Sequence, residues 1–276
     1  MLRNILRNIN FKGKNRLLKL MSYPTEKVVV PYLYDSLIEI DTSELIGHDI
    51  YWNGGYETDV IWILDNIKNL DGVCIDLGAN IGVWSVPMGK CFKQVNCVEP
   101  HPKFREKLKK NFSLNGINNS EIYSYAIGSN SKDGILYSPP DSMRNKSASI
   151  LELNDELTDH IDIKLRPLDE IFSHLKRLDF IKIDCDGSDG DIILSGKELI
   201  LKYKPLILFE DLGGYHSGMG SIDLAIKVDD EYDQAYKLLT DNGYRIFEVG
   251  DQKLTETVRL KGQYANILAV PNLYKF

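Results

Sequence analysis

The chain has 276 residues, 43% of them hydrophobic and 26% charged, with a formal net charge of -7. That length and mix suit one large α/β domain with an extension. The acidic balance argues against nonspecific nucleic-acid binding, which needs a basic face, and no apolar run approaches the roughly eighteen residues that span a bilayer.

The acidic average hides a basic start. Residues 1–20 carry Arg3, Arg7, Lys12, Lys14, Arg16 and Lys19 and no acid, with Leu2, Ile5, Leu6 and Ile9 at helical spacing. Such a segment can lie on an anionic membrane, pack on the domain, or stay a mobile leader; its broken apolar pattern is not a signal peptide. Cys74, Cys91, Cys97 and Cys185 show neither C-x-x-C pairing nor a disulfide framework, which points to a reducing cytoplasm, and to the inner face of the membrane if residues 1–20 bind there.

Val28–Tyr34 and Leu37–Ile40 flank Asp35-Ser36 and predict a hairpin outside the main sheet, with Pro31 marking an edge. Tyr51–Glu57 reads as an aromatic-rich turn in which Trp52 and Tyr56 either stack on a ligand or simply pack. A helix is expected over about 57–69, with Val60, Ile61, Leu64 and Ile67 on one face. Residues 1–70 are thus an N-terminal segment of basic helix, hairpin and lead-in helix, and 71–276 the main domain.

The organising stretch is Asp71–Gly82. Val73, Cys74 and Ile75 form an apolar strand that runs into Asp76, and Gly78 and Gly82 allow a tight turn before a helix expected from about Gly82. Amides at such a turn favour an anion, while Asp76 favours a cation, so the ligand carries both signs. S-adenosylmethionine fits that description. A dinucleotide fits less well, because Gly78-Ala-Asn-Ile-Gly82 lacks the middle glycine of G-x-G-x-x-G. Glu99 ends the next strand, Val95–Glu99, where a carboxylate meets ribose hydroxyls.

Beyond it, Pro102 opens a helix that Asn115-Gly116 stops, and Glu121–Ile127 is a third strand. Residues 134–165 break the alternation with short strand-like pieces around a polar loop. Leu178–Asp184 is the next strand, with Lys182 and Asp184 on one face. Asp184–Asp191 then sets four carboxylates in eight residues without a cation. Either a divalent metal, with Asp184, Asp186, Glu210 and Asp211 as candidate ligands, or Lys182 balances them; the spacing is not an EF-hand, and Asp189 and Asp191 also suit a helix start. Pro205–Glu210 is the fifth strand. Gly213–Gly220 reads as a mobile lid carrying His216, and a helix over about 229–242 precedes an antiparallel pair at 244–249 and 265–270.

The ordered set Val73–Gly82, Val98-Glu-Pro100, Leu168-Asp-Glu170, Asp179–Asp184 and Lys204–Glu210 resembles the FkbM family of S-adenosylmethionine-dependent methyltransferases over roughly residues 50–250, and Gly54-Gly-Tyr-Glu57 looks like the family's lead-in. The resemblance implies the class I methyltransferase fold, a Rossmann-like sheet of seven strands with one antiparallel. It also implies O-methylation of sugars in surface polysaccharides or of natural products. By position, Asp76, Gly78, Asn80 and Gly82 would hold the methionyl part, Glu99 the ribose and Ala126-Ile127 the adenine, with Asp184 facing the methyl. The family's acid-glycine-alanine-glutamate run is here Asp186-Gly-Ser-Asp189, both acids shortened if the alignment holds.

A sugar hydroxyl needs a base, for which Asp184 is the first candidate and His216 the second, with Lys182 orienting the carboxylate or steadying the alkoxide. The departure at Asp186 and Asp189 motivates the alternative of a noncatalytic scaffold that binds the cofactor or a glycan. A nicotinamide oxidoreductase ranks third.

Overall fold

A computed structural model describes residues 26–68, 71–138, 149–151, 159–212, 222–250, 252–259 and 261–274. The basic leader and His216 lie outside these residues, as does most of the polar loop after Ser138.

The described chain opens with a hairpin, β1 (Lys27–Tyr32) and β2 (Ser36–Asp41), then α1 (Leu45–Asn53) and α2 (Ile63–Ile67). Alternation follows: β3 (Val73–Leu77), α3 (Ser85–Cys91), β4 (Gln94–Val98), α4 (Pro102–Leu114) and β5 (Ser120–Tyr123). An inserted sheet contains β6 (Ala126–Ile127), β7 (Lys132–Ser138) and β8 (Asp159–Arg166). The chain returns through α5 (Leu168–Phe172), β9 (Phe180–Ile183), α6 (Asp189–Ser195), α7 (Lys197–Tyr203) and β10 (Leu206–Asp211). It closes with α8 (Ile222–Asp241), β11 (Tyr244–Gly250), β12 (Lys253–Glu256) and β13 (Ala265–Pro271).

The main sheet has the order β5-β4-β3-β9-β10-β13-β11-β12. β5 through β10 run parallel, and β13 runs antiparallel to both of its neighbours. The expected seven strands with one antiparallel are therefore present, and β12 adds an eighth at the edge. The chain winds outward from β3 to β5 and then restarts at β9 on the other side of β3. The switch point lies between β3 and β9, where ligands of such sheets bind at the carboxyl ends.

β3 is buried along its whole length because both faces are covered. Cys74 packs with Val95, Cys97 and Phe180 toward the hairpin, α1 and α4, whereas Val73, Ile75 and Leu77 pack with Ile181, Ile183 and Phe209 toward α5, α6 and α8. The period of two thus assigns alternate residues to two cores.

The hairpin is fastened by side-chain amides that imitate a strand. Asn111 Oδ1 accepts from Glu39 N at 2.7 Å while its Nδ2 donates to Glu39 O and to Ile81 O. Asn115 does the same for Leu37 N and O, so the free edge of β2 is satisfied by α4.

Several expectations need correction. The segment from Tyr51 is still helical, since α1 runs to Asn53 and stops at Gly54 with φ 85°. The helix over 57–69 shrinks to α2, preceded by turns closed on Glu57 O. The strand over 121–127 divides, β5 staying in the main sheet and β6 pairing with β8. The helix over 229–242 begins earlier, at Ile222. Among the described residues no helix is long and apolar enough to cross a membrane, and all four cysteines are free thiols.

Candidate active site

The site is built on the switch point. Asp76 and Lys182 are register partners on β3 and β9, both buried at 1% and 4% exposure. Lys182 Nζ donates to Asp184 Oδ2 at 2.6 Å and lies 5.4 Å from the centre of the Trp84 ring. Burial works against its charge, but Asp184, Glu57, Asp76 and Glu210 outweigh burial and hold the ammonium well above its ordinary pKa. Asp76 accepts from Ser85 Oγ, and burial pushes its carboxyl up to about 6 against the pull of Lys182 and Ser85.

Two further carboxylates converge here from distant parts of the chain. Glu57, in the turn after α1, accepts from Trp84 Nε1 at 2.7 Å, and burial raises its pKa. Glu210, near the end of β10, accepts from the Tyr264 hydroxyl at 3.0 Å, and burial, with Asp184 and Glu57 adding repulsion, pushes it up to about 9. One oxygen each of Glu57, Asp184 and Glu210 lies within 4.8 Å of the others. These groups wall a polar cleft of about 630 Å³ that also includes Tyr56 and Trp84. Like charges this close cannot all ionise without a cation, and Lys182 supplies one.

A second, narrower slot opens beside the cleft, lined by Glu99, Ala126, Ile127, Leu136, Ile150 and Ile192. Glu99 is 5% exposed, and its two oxygens accept from Asn80 N and His101 N, each at 2.7 Å. Burial still raises it to about 7, and each oxygen retains a lone pair for a ligand hydroxyl. The two chambers share Gly78, Asn80, Asp184 and Asp186 in their walls. Gly78 has φ +82°, and a Cβ there would stand 2.0 Å from the Asp184 carbonyl oxygen. Only glycine allows the β3 turn to meet the β9 end so closely.

The candidate residues divide accordingly. Asp76, Gly78, Asn80, Lys182, Asp184 and Glu210 meet in the cleft, and Gly78, Asn80, Glu99, Ala126 and Ile127 border the slot. Gly82 lines neither: α3 starts at Ser85, and the missing Cβ of Gly82 makes room for Leu108 Cδ1, which a Cβ would meet at 2.8 Å. Asp211 is turned away and paired with Arg259 Nε at 3.0 Å, the buried guanidinium also holding Asp229 and Asp233 nearer the surface. Of the metal candidates, Asp184 and Glu210 therefore converge with Glu57 among the described residues, while Asp186 and Asp211 do not join that set. Asp189 is fully buried and ties β9 to β10, its oxygens accepting from Cys185 N at 3.0 Å and Glu210 N at 3.1 Å. Trp52 is buried against His48 and Tyr51 instead of lining the cleft, whereas Tyr56 does line it. Sequence reasoning gave no role to Glu57 or Tyr264; for Glu57 the signal was there, in the Gly54-Gly-Tyr-Glu57 element.

A parallel sheet with this order, one antiparallel strand and a two-chambered cleft over the switch point defines a class I methyltransferase fold. Its family is equally plain: the chain belongs to the methyltransferase FkbM domain family, whose model matches residues 76–246. Among solved structures it is similar to methyltransferase FkbM from Methylobacillus flagellatus KT, at 14% identity and TM-score 0.47, covering 80% of this chain and 52% of that one. It is also similar to M. jannaschii TYW2 in complex with AdoMet, at 14% identity and TM-score 0.44, covering 91% of this chain and 86% of that one. The chain thus spans about half the length of the Methylobacillus protein. Comparison with curated proteins gives no significant match.

Proposed function

We propose that the protein is an S-adenosylmethionine-dependent O-methyltransferase that acts on a hydroxyl of a sugar, in a surface polysaccharide or another glycan, or of a natural product. The observation that carries this reading is the common wall of the two chambers, where Asp184 faces both. The slot suits an adenosine, with apolar side chains for the ring and Glu99 for the ribose hydroxyls; Asp76 suits the methionyl ammonium, whereas the Gly78, Ala79 and Asn80 amides expected to meet its carboxylate are already given to Val98 O and Glu99. Bound there, the cofactor supplies an activated methyl group on a sulfonium.

The chain's own part is to align the acceptor and take one proton. Asp184 is the base, held in place by the Lys182 ammonium at 2.6 Å. Glu57 and Glu210, whose burial raises their affinity for protons, stand ready to share the proton that Asp184 removes. Glu57, Asp184 and Glu210 face the acceptor with only the Lys182 ammonium among them, so that end of the cleft disfavours an acceptor phosphate or carboxylate. The reactive end of the acceptor is accordingly neutral or cationic. A divalent metal at Glu57, Asp184 and Glu210 is the secondary reading; chelator then abolishes turnover, whereas balance by Lys182 leaves it intact.

The noncatalytic alternative rested on the shortened acids at Asp186 and Asp189. Asp189 borders neither chamber and spends both oxygens on backbone amides, so the alternative now rests on Asp186, which lines both chambers. Replacing Asp184 with Asn is expected to lower turnover by about 10²–10⁴-fold, with S-adenosylhomocysteine affinity changed by less than about threefold. Retained methyl transfer would remove Asp184 from the role.

In this reading residues 1–70 form the acceptor-side extension that contributes Glu57, and 71–276 form the catalytic domain. We also propose a cytoplasmic location, with the basic segment 1–20 resting on the anionic inner face of the membrane. Flotation with anionic liposomes should depend on residues 1–20; equal flotation without them refutes the membrane contact.

A further inference from the structure

The carboxylates of the cleft can meet the hydroxyls of an acceptor but offer nothing to its carbon skeleton. Tyr264 does. Of the large apolar side chains left exposed among the described residues, it is the one that lines the cleft, with 60% of its surface open. Its hydroxyl donates to Glu210 Oε1 at 3.0 Å, so the tip of the ring is fixed while much of the ring stays uncovered.

The backbone that presents this ring is pinned on both sides. Downstream, Ala265 pairs with Asp211 and Asn266 with Glu210, so alternation puts Tyr264, one residue before β13, on the face of Glu210. Upstream, the buried Arg259 guanidinium donates to Asp211 and to the Asp229 carbonyl, each at 3.0 Å, and lies 5.3 Å from the centre of the Tyr232 ring. Lys261 adds a contact to Asp229 at 2.8 Å. A side chain with two torsions, held at its tip and along its backbone, gives up little further freedom when a ligand arrives.

An aromatic ring beside convergent hydrogen-bond acceptors matches the surface of a pyranose. The sugar carries C–H groups on its faces, which suit the electron-rich face of a phenol, and hydroxyls on its rim, which suit Glu57, Asp184 and Glu210. An acyclic polyol has the hydroxyls but no flat face. Resting on the reading of a sugar acceptor above, we infer that Tyr264 is the acceptor platform: its ring packs on one face of a pyranose and thereby sets which rim hydroxyl meets the carboxylates.

Saturation-transfer NMR on the full chain loaded with S-adenosylhomocysteine tests this, with methyl pyranosides of the gluco, manno and galacto series and glucitol as the acyclic control. Wild type and Tyr264→Phe, which keeps the ring, should bind a pyranoside within about twofold of each other, with the strongest saturation on the C–H protons of one ring face. Tyr264→Leu, apolar but not flat, should bind it about five- to tenfold more weakly. Glucitol should bind weakly and alike to all three. Their affinity for S-adenosylhomocysteine should also be equal, since Tyr264 does not border the slot.

Undiminished binding by Tyr264→Leu overturns the inference, as does an equal loss in Tyr264→Phe, a parallel loss of S-adenosylhomocysteine affinity, or a wild type that binds no pyranoside. Labelled S-adenosylmethionine separates the two readings: a pyranoside held through Tyr264 yet never methylated by wild type leaves the platform standing and removes methyl transfer to sugars.

Discussion

Replacing Lys182 with Met removes the cation that balances the cleft while keeping an unbranched side chain of similar length. Removing one partner of a buried ion pair costs about 3–5 kcal/mol, because the other charge stays behind uncompensated. Here Asp184 keeps 29% exposure, so water recovers part of the loss and the lower end, roughly 3 kcal/mol, applies. For a chain of this size that corresponds to a fall in Tm of roughly 5 °C. The deficit must also depend on pH. Asp76 at about 6 and Glu210 at about 9 already lie above the ordinary carboxyl range even with Lys182 present. Acids raised in the folded state contribute stability that is complete below their unfolded pKa, near 4, and is lost as pH rises through the folded values. Without Lys182 these values climb further, so the variant should melt close to wild type near pH 5 and well below it near pH 8.5. Thermal melts followed by circular dichroism at the two pH values decide the matter. A deficit that is equal at both, or absent, would show that Lys182 is not the counter-charge of this cluster.

Gly78→Ala should abolish measurable S-adenosylhomocysteine binding and lower Tm, since the new Cβ would stand 2.0 Å from the Asp184 carbonyl oxygen. Gly116→Ala is the control: its φ of +62° is also positive but nothing lies within 4 Å, so only about 1 kcal/mol of backbone strain is expected. Normal binding by Gly78→Ala would refute the close contact between the β3 turn and the β9 end. Asn111→Ala should destabilise by about 2–4 kcal/mol in urea, because the fully buried amide leaves Glu39 N–H and Ile81 C=O unmatched. A urea midpoint unchanged from wild type would mean that the hairpin does not rely on this amide.

Much of the site was legible because its signals are local. A strand buried on both faces reads as a continuous apolar run, a turn that needs positive φ shows its glycine, and the period of two places Lys182 and Asp184 on one face from the sequence of β9 alone. Glu99 and Asp184 both stand at strand ends, and that is where the structure brings them to the chambers. Gly82 shows the limit of such reasoning. Glycine in a turn announces that space is needed, but the space serves the Leu108 side chain of α4, a partner that no local pattern names.

The chain's own order of residues determined the parallel sheet, the ligand edge of β3 and β9, and the acidic character of the site, because periodicity, turn chemistry and charge are properties of neighbouring residues. Only the tertiary structure decided which acids meet. Glu57 and Glu210 come from distant parts of the chain to join Asp184, whereas Asp211, next to Glu210, pairs with Arg259. Alternation along a strand sends adjacent carboxylates to opposite faces, and what covers each face is settled by packing between segments far apart in the chain.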